Sequence, residues 1–389
     1  MTQRSRLIGA VTLLLLLGMV LSACGSAPVA ENWPGLTVDG DTVYAISGMP
    51  QQVYILDAET LTPRATFPPP AETKGVPYWS PVDVGGGLAF VGYGTPGSGN
   101  AALYAFDPET GQQQWNVPVD SIIMPQPTYA DGVVYVGDSS GRVYAVDVES
   151  KRIKAGWPFE ADSPFWASPV VEGGRVYVAS MDHNLYCLDA ESGDLIWEQQ
   201  MGGALAESPG IADDLTLEDG VLYIGAFDGR VHAVKAGTGE IVDGFDFLAE
   251  NWVWSIPLMV DDPLFVTSLD GRLYALEPSS GAVIAPYPYN SAEIDNKKQV
   301  IRAAPVEADE FIIVATQSGR VIAVRAENAQ RGCYWPSGTP QAEILTTPVV
   351  SGNLIYVILM NGQVHTLDRE ALDAGTCATG PSFSPPENE

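Results

Sequence analysis

The chain has 389 residues, of which 46% are hydrophobic and only 17% are charged, so it is long enough to bury one large core or two ordinary ones. Its 48 acidic residues outnumber its 19 basic residues and give a net charge of −29, which would repel phosphate backbones and excludes a nucleic-acid-binding protein. The 40 glycines and 30 prolines exclude a helical bundle and favour a turn-rich, mostly β protein.

The N-terminal segment has the features of an export signal. An apolar run over residues 7–20 is too short to span a membrane, and the sequence LSACG follows at 21–25. This sequence resembles the bacterial lipobox, in which the cysteine carries the lipid. The resemblance implies a lipoprotein signal peptide over 1–23, lipid attachment at Cys24 and a lipidated tether over 24–32.

A lipid anchor also implies where the protein resides. We expect an exported protein attached to a membrane of the cell envelope through its lipid. In a host with two membranes this is the periplasmic face of the outer membrane, and in a host with one membrane it is the outer face of the cell membrane. We further expect a protein or peptide partner, no nucleic acid, and a monomer.

A repeat fills most of the remaining chain. Two strand-like runs joined by a tight turn recur eight times, as in GVVYVGDSSGRVYAVD (132–147) and DPLFVTSLDGRLYALE (262–277). The second run ends about every 44 residues, which is the length of four short strands with their turns. We therefore predict an all-β fold, an eight-bladed β-propeller of four-stranded antiparallel blades, over 33–378. A β-solenoid is the alternative, but its coils are shorter and lack repeated hairpins. Residues 379–389 are predicted to form a disordered tail.

Turn residues support the hairpins within the repeat. Asp-Gly and Asn-Gly accept the positive φ angles that a two-residue hairpin loop requires. We predict such loops at three places, Asp228-Gly229, Asp270-Gly271 and Asn361-Gly362. Upstream of most copies, a further short strand opens with a small residue and a proline, where the missing N–H costs no ladder bond.

A further motif follows several of the second strands. The clearest copies are AFDPETG (105–111) followed by Trp115, and LDAESG (188–193) followed by Trp197. The motif is similar to the repeat of the PQQ-like (quinoprotein-type) β-propeller superfamily. The resemblance implies that Trp115 and Trp197 dock one blade against the next, while the Thr and Gly residues shape the turn.

The superfamily has two branches with different functions. Quinoprotein dehydrogenases hold PQQ and calcium over the funnel of the propeller, whereas binding propellers, such as the BamB-like lipoproteins of outer-membrane assembly, hold no cofactor. The lipobox and the absence of extra domains resemble the second branch, which implies a non-catalytic protein-interaction scaffold without cofactor. Two alternatives stay open, a PQQ- and calcium-dependent sugar or alcohol dehydrogenase and a polysaccharide- or small-ligand-binding lipoprotein.

The cysteines and histidines give little support to catalysis or metal binding. Many alcohol-oxidising quinoproteins use two adjacent cysteines, and no two cysteines are adjacent here. Cys333 and Cys377 occupy similar places in neighbouring repeats, so they could form a disulfide or remain separate thiols. Cys187 replaces a small apolar residue in a strand. The three histidines fall in different repeats, so no shared metal site is expected.

The segments that enter the innermost strands carry the candidate binding residues. In a propeller these segments should surround the mouth of the central channel. Three of them are aromatic and two carry a charge, at Trp79, Trp166, Trp254, Glu207 and Arg302. Aromatic rings beside an isolated charge suit recognition of a peptide or small ligand. The alternative is that the rings only pack between blades.

Overall fold

A computed structural model describes residues 34–47, 52–67, 80–94, 99–212, 220–295 and 299–386. The predicted signal peptide and tether, with Cys24, lie outside these ranges, and so does Trp79. In the described ranges, no helix has the length and apolar character needed to cross a membrane.

The strands form eight antiparallel sheets, and each sheet comes from one continuous stretch of chain. Blade 1 contains β1 (Gly35–Asp39), β2 (Thr42–Ser47), β3 (Gln52–Asp57) and β4 (Pro63–Phe67). Blade 2 contains β5 (Asp83–Gly85), β6 (Leu88–Tyr93), β7 (Ala102–Phe106) and β8 (Gln113–Pro118). Blade 3 contains β9 (Thr128–Ala130), β10 (Val133–Gly137), β11 (Arg142–Asp147) and two short outer pieces, β12 (Arg152–Ile153) and β13 (Phe159–Glu160). Blade 4 contains β14 (Val170–Glu172), β15 (Arg175–Ala179), β16 (Asn184–Asp189) and β17 (Leu195–Gln200).

The second half of the chain continues the same order. Blade 5 contains β18 (Gly210–Ala212), β19 (Val221–Gly225), β20 (Arg230–Lys235) and β21 (Phe247–Leu248). Blade 6 contains β22 (Leu258–Met259), β23 (Leu264–Thr267), β24 (Arg272–Leu276) and β25 (Tyr289–Asn290), followed by the short helix α1 (Ala292–Asp295). Blade 7 contains β26 (Val306–Ala308), β27 (Phe311–Ala315), β28 (Val321–Arg325) and β29 (Arg331–Trp335). Blade 8 contains β30 (Val349–Ser351), β31 (Leu354–Ile358), β32 (Val364–Asp368), a 3-10 turn (Glu370–Leu372) and β33 (Thr379–Phe383).

The hydrophobic core lies between the blades. Eight clusters of buried apolar side chains each combine residues of two neighbouring blades. Because a small sheet cannot bury both of its faces alone, this stacking supplies the burial that stabilises every blade. The predicted eight-bladed propeller is confirmed.

Blade 8 packs directly against blade 1 and closes the ring. The Tyr356 hydroxyl donates to the carbonyl of Ala58 at 2.9 Å, and the rings of Tyr54 and Phe383 lie 4.9 Å apart. Phe383 belongs to β33, so the prediction of a disordered tail over 379–389 is wrong for its first part. The buried Phe383 side chain explains the difference, since it orders a segment whose composition otherwise resembles a tail.

The hairpin loops differ in detail from the prediction. The Gly229 N–H donates to the Ala226 carbonyl at 3.1 Å, and the Ala226 N–H donates to the Arg230 carbonyl at 3.0 Å. Gly229 has a φ of +83°, whereas the preceding Asp228 is not in the positive-φ region. The loop is therefore a type I turn followed by a left-handed glycine, not a two-residue loop. Asp-Gly suits this loop as well, because here only the glycine must adopt positive φ.

The motif tryptophans lie between blades. Trp197 belongs to the cluster shared by blades 4 and 5, and Trp115 belongs to the cluster shared by blades 2 and 3. The same interblade place in blade 3 is filled by Trp157, which packs beside Gly193 of blade 4. In blade 6 the Tyr287 hydroxyl donates to the carbonyls of Arg325 and Ala326. Trp157 does not stand out in the sequence, because an insertion displaces it from the motif spacing.

The two late cysteines form a disulfide between blades 7 and 8. Cys333 lies in β29 and Cys377 precedes β33, with a Cα–Cα distance of 5.5 Å. Cys187 is a free, buried cysteine in β16, and burial raises the pKa of its thiol to about 12. The covalent link therefore joins the outer part of the last two blades, beside the seam where the ring closes.

Candidate functional site

A cavity of about 430 Å³ occupies the centre of the ring. All eight blades contribute to its wall, mostly with residues at or just before the innermost strand. One lining residue from each blade, in chain order, gives Leu36, Pro81, Gln126, Trp166, Glu207, Trp254, Arg302 and Thr346. Convergence of all eight blades places the cavity on the ring axis, where the topology of a propeller collects its inner strands.

The structure brings together four of the five candidate binding residues. Trp166, Glu207, Trp254 and Arg302 all line the cavity, although they are up to 136 residues apart in the chain. Their common position before the inner strands explains this arrangement. Trp79 lies outside the described residues, and ligand binding by the set stays a prediction.

Trp254 is the centre of the group. Its ring lies 6.4 Å from that of Trp166, with 22° between the planes, and Cζ of Arg302 lies 4.4 Å from its centroid. Phe227 supports the same indole at 4.9 Å. The quadrupole of an aromatic ring attracts a guanidinium that lies over its face. Trp254 therefore orients Arg302, and the indole of Trp254 is itself held by contacts with Trp166, Arg302 and Phe227.

Glu207 has an unusual environment for a carboxylate. Its side chain is partly open to the cavity, but protein atoms surround it closely, and this burial raises the pKa of Glu207 to about 7. Hydrogen bonds from the Trp254 indole and the Ser208 backbone N–H act in the opposite direction and favour the charged form. Near neutral pH the carboxyl group can therefore exist in either form, as acceptor or as donor.

Arg302 supplies the cationic side of the wall. Burial lowers the pKa of Arg302, while the negative charge of Glu343 opposes that effect. An arginine nevertheless remains protonated in proteins. Among the described lining residues, Arg302 and Glu207 are the only two that can carry a charge, so the cavity offers one cationic and one titratable group on an apolar background.

Three further lining residues did not stand out in the sequence. They are Met124, Gln126 and Thr346. The Gln126 side-chain amide donates to the Val82 carbonyl at 2.7 Å and so ties blade 3 to blade 2. The Thr346 hydroxyl oxygen is buried and has no hydrogen-bond partner among the described residues. Each lies one to three residues before a proline that opens an inner strand, and this spacing is the signal that could have found them.

The cavity wall does not fit the cofactor pair of the quinoprotein dehydrogenases. Calcium requires six to eight oxygen ligands, several of them carboxylates. Glu207 is the single carboxylate of the described wall, and its oxygen atoms face an indole N–H. Within the described ranges, no three His, Cys, Asp or Glu side chains cluster in a way that could hold a metal. The disulfide lies at the outer strands, away from the axis.

The arrangement is suited to binding a group that is apolar or aromatic at one end and polar at the other. Prolines, Leu36, Met124 and the Trp166 ring provide an apolar surface that gains free energy by burying similar groups. Arg302 can donate to a carbonyl or carboxylate. Glu207 can accept from an amide or ammonium group, or donate when it is protonated.

Comparisons with known proteins give a consistent result. A protein-family model described as outer membrane protein assembly factor BamB matches residues 69–154 and 154–371. BamB from Moraxella catarrhalis aligns with a TM-score of 0.66 and 18% identity over 89% of this chain and 96% of that one. The computationally designed protein Ika8 aligns with a TM-score of 0.68 and 13% identity over 88% and 98% of the two chains. Comparison with curated protein sequences found no significant match.

Proposed function

Because the chain belongs to the family of the outer membrane protein assembly factor BamB, we propose that it is a non-catalytic binding scaffold of the cell envelope. In this proposal the scaffold recognises segments of partner proteins through its central cavity. The observation that carries the proposal is the convergence of Trp166, Glu207, Trp254 and Arg302 on one cavity. The family supports a role in assembling outer-membrane proteins.

The chemistry of the cavity favours a peptide over other ligands. A volume of about 430 Å³ lies within the range of small-ligand sites and accommodates one or two side chains. An apolar or aromatic side chain would stack on Trp166. The flanking peptide carbonyls would accept hydrogen bonds from Arg302, and a peptide amide would donate to Glu207.

The proposed location rests on the sequence of the N-terminal segment. Cleavage before Cys24 and lipidation of its thiol would anchor the propeller to the membrane by the short tether over 24–32. A single lipidated chain end suits a protein that must remain at the membrane while it binds partners that pass through the envelope.

Peptide binding to the purified chain tests this function. The probe is a fluorescein-labelled decapeptide of alternating Phe and Gly with a free carboxylate, followed by fluorescence anisotropy. We expect saturable binding that weakens about tenfold or more in Trp166→Ala and Arg302→Gln. Arg230→Gln is the matched control, because Arg230 is exposed and pairs with Asp246 at 2.5 Å on the outer part of blade 5. Equal binding by all four proteins would refute the cavity as the site.

Two titrations separate the alternatives. The stacked pair of Trp166 and Trp254 is also a surface on which a sugar ring could stack. Envelope oligosaccharides added to the anisotropy assay should not displace the peptide. Calorimetric titration with PQQ and calcium should give no saturable heat. Saturable binding near one to one would contradict the scaffold function and support a dehydrogenase instead.

A further inference from the structure

The outer strand of blade 4, β17, is a full-length sheet edge with no proline and no cross-link to another blade. An outer strand presents a row of unpaired N–H and C=O groups that can pair with a strand from another chain. Proteins protect such edges with prolines, very short strands, covering segments, charged side chains or β-bulges. The eight blades of this propeller provide a direct comparison, because each carries its outer strand at the same place.

The other outer strands that the structure describes each have a form of protection. Those of blades 3, 5 and 6 are reduced to pieces of two residues, namely β12, β13, β21 and β25. Those of blades 1, 2 and 8 contain a proline, at Pro63, Pro118 and Pro381 respectively. That of blade 7 is cross-linked to blade 8 through Cys333. By contrast, β17 has six residues, Leu195–Gln200, with no proline. Its β-bulge at Ile196 does not distinguish it, because the outer strands of blades 1, 2, 7 and 8 also carry a bulge.

The register shows which backbone groups of β17 point outward. The Met201 N–H donates to the His183 carbonyl at 2.7 Å, next to the aligned pair Asn184 and Gln200. Because bonded and non-bonded pairs alternate in an antiparallel ladder, the backbone groups of Glu198 and Gln200 face away from β16. The Gln200 carbonyl accepts a hydrogen bond from the Gln199 side-chain amide at 3.0 Å, and a partner strand would displace that amide or share the carbonyl with it.

Strand β8 of blade 2 is the blocked counterpart of β17. Both strands have six residues with tryptophan in third place, Trp115 in one and Trp197 in the other. In this alignment Pro118 of β8 stands where β17 has Gln200. The first two residues of β8 are glutamines, whereas β17 begins with Leu195 and Ile196. The two strands thus differ in two properties that govern edge pairing, namely the presence of a proline and the polarity of the first two side chains.

Two of the strongly exposed apolar side chains belong to this edge, Leu195 and Ile196. Five large hydrophobic side chains are strongly exposed in the described ranges, all on the outer parts of blades 4, 5 and 6: Leu195 (46%), Ile196 (43%), Ile241 (40%), Leu248 (58%) and Val283 (42%). Leu195 and Ile196 are adjacent in β17, so its first two residues present apolar surface to solvent.

The charge around the strand identifies the kind of partner. Asp194 and Glu198 are exposed, and in the described part of the chain no ion pair neutralises them. A second copy would bring the same acidic groups and a net charge of −29, so edge-to-edge self-association is disfavoured.

We propose that β17 binds an extended segment of a partner protein, in which apolar and basic residues alternate, as a fifth strand of blade 4. Main-chain hydrogen bonds to Glu198 and Gln200 would set the register. Leu195 and Ile196 would bury the apolar side chains, and the acidic residues would pair with the basic ones. The inference rests on the proposed function only in taking the partner to be a protein, since β14, β15 and β16 separate this edge from the cavity.

The test uses the full chain and a defined probe, an acetylated, fluorescein-labelled octapeptide of alternating lysine and valine. We expect saturable binding by anisotropy, with slowed amide hydrogen exchange over Leu195–Gln200. Gln200→Pro copies the residue that blade 2 tolerates at this place and should weaken binding about tenfold or more. Glu198→Lys alters only an exposed side chain, and it should weaken the lysine peptide while favouring a glutamate–valine peptide.

Controls keep this site distinct from the cavity. Trp166→Ala should bind the lysine–valine peptide as the wild type does, even if the cavity proves to bind nothing. Absence of binding by the wild type, equal binding by folded Gln200→Pro, or protection confined to segments other than Leu195–Gln200 would each overturn the proposal.

Discussion

The indole nitrogen of Trp197 in blade 4 donates a hydrogen bond to the carbonyl of Ala236 in blade 5, at 3.0 Å. The same carbonyl also accepts from the Arg175 guanidinium at 3.0 Å and from the Tyr177 hydroxyl at 3.4 Å, so the Trp197 bond is one of three that link these blades here. We expect Trp197→Phe to lower the free energy of unfolding by about 1–2 kcal/mol, because it removes the donor and part of the ring. Chemical denaturation measures the loss. Trp115→Phe is the matched control, since the structure shows no hydrogen bond from Trp115 among the described residues, and it should cost less.

Gly239 lets the Trp197 ring approach the next blade. Its φ is +77°, and a Cβ at this position would lie 2.7 Å from the ring. Gly239→Ala should therefore combine backbone strain with a clash. Gly244→Ala isolates the backbone contribution, about 1–2 kcal/mol, because Gly244 has a φ of +87° and open space around its Cβ position. If thermal unfolding showed equal losses for both variants, the close approach would have no energetic role.

The disulfide should stabilise the last two blades. It closes a segment with a sequence separation of 44, for which loop entropy predicts roughly 2–4 kcal/mol. Replacing both Cys333 and Cys377 by alanine should lower the free energy of unfolding by that amount. A reductant should act similarly on the wild type and have no effect on the double variant. A reductant effect that persists in the double variant would contradict this assignment.

Glu207 should make stability depend on pH. Its pKa is raised from 4.5 to about 7 by burial, so between these values the folded chain binds more protons than the unfolded chain. The stability of the wild type should then fall as pH rises through this window, relative to Glu207→Gln, which cannot titrate. Melting temperatures from pH 4 to pH 8 test this, and parallel curves for the two proteins would refute it. Trp fluorescence should titrate near pH 7 in the wild type alone.

The fold was predictable because its information is local and repeated. The turn glycines and the apolar runs recur about every 44 residues, so each copy supports the others. Where a disordered tail was predicted instead of β33, the order comes from a distant contact. Phe383 packs on Tyr54, more than 300 residues earlier in the chain, and nothing near it in sequence indicates that contact.

The site was predictable in position but not in chemistry. Equivalent places in the repeat indicated that Trp166, Glu207, Trp254 and Arg302 would meet. The repeat does not indicate that the Glu207 carboxyl faces an indole N–H in a poorly solvated place, since that depends on how four blades pack. Likewise Thr346 has no aromatic ring or charge, so its position in the wall is visible only in three dimensions.

Each blade is built from one continuous stretch of chain, and blade 8 meets blade 1 through side chains without exchanging a strand. Apart from the disulfide between blades 7 and 8, the junction between the first and last blades is therefore equivalent in kind to the others. A circular permutant, with the ends near Gly35 and Phe383 joined by a linker and new termini opened between two other blades, would keep all eight sheets intact. The position of the chain termini is thus independent of the order of blades in the ring, and the seam could be moved to another junction without redesigning a blade.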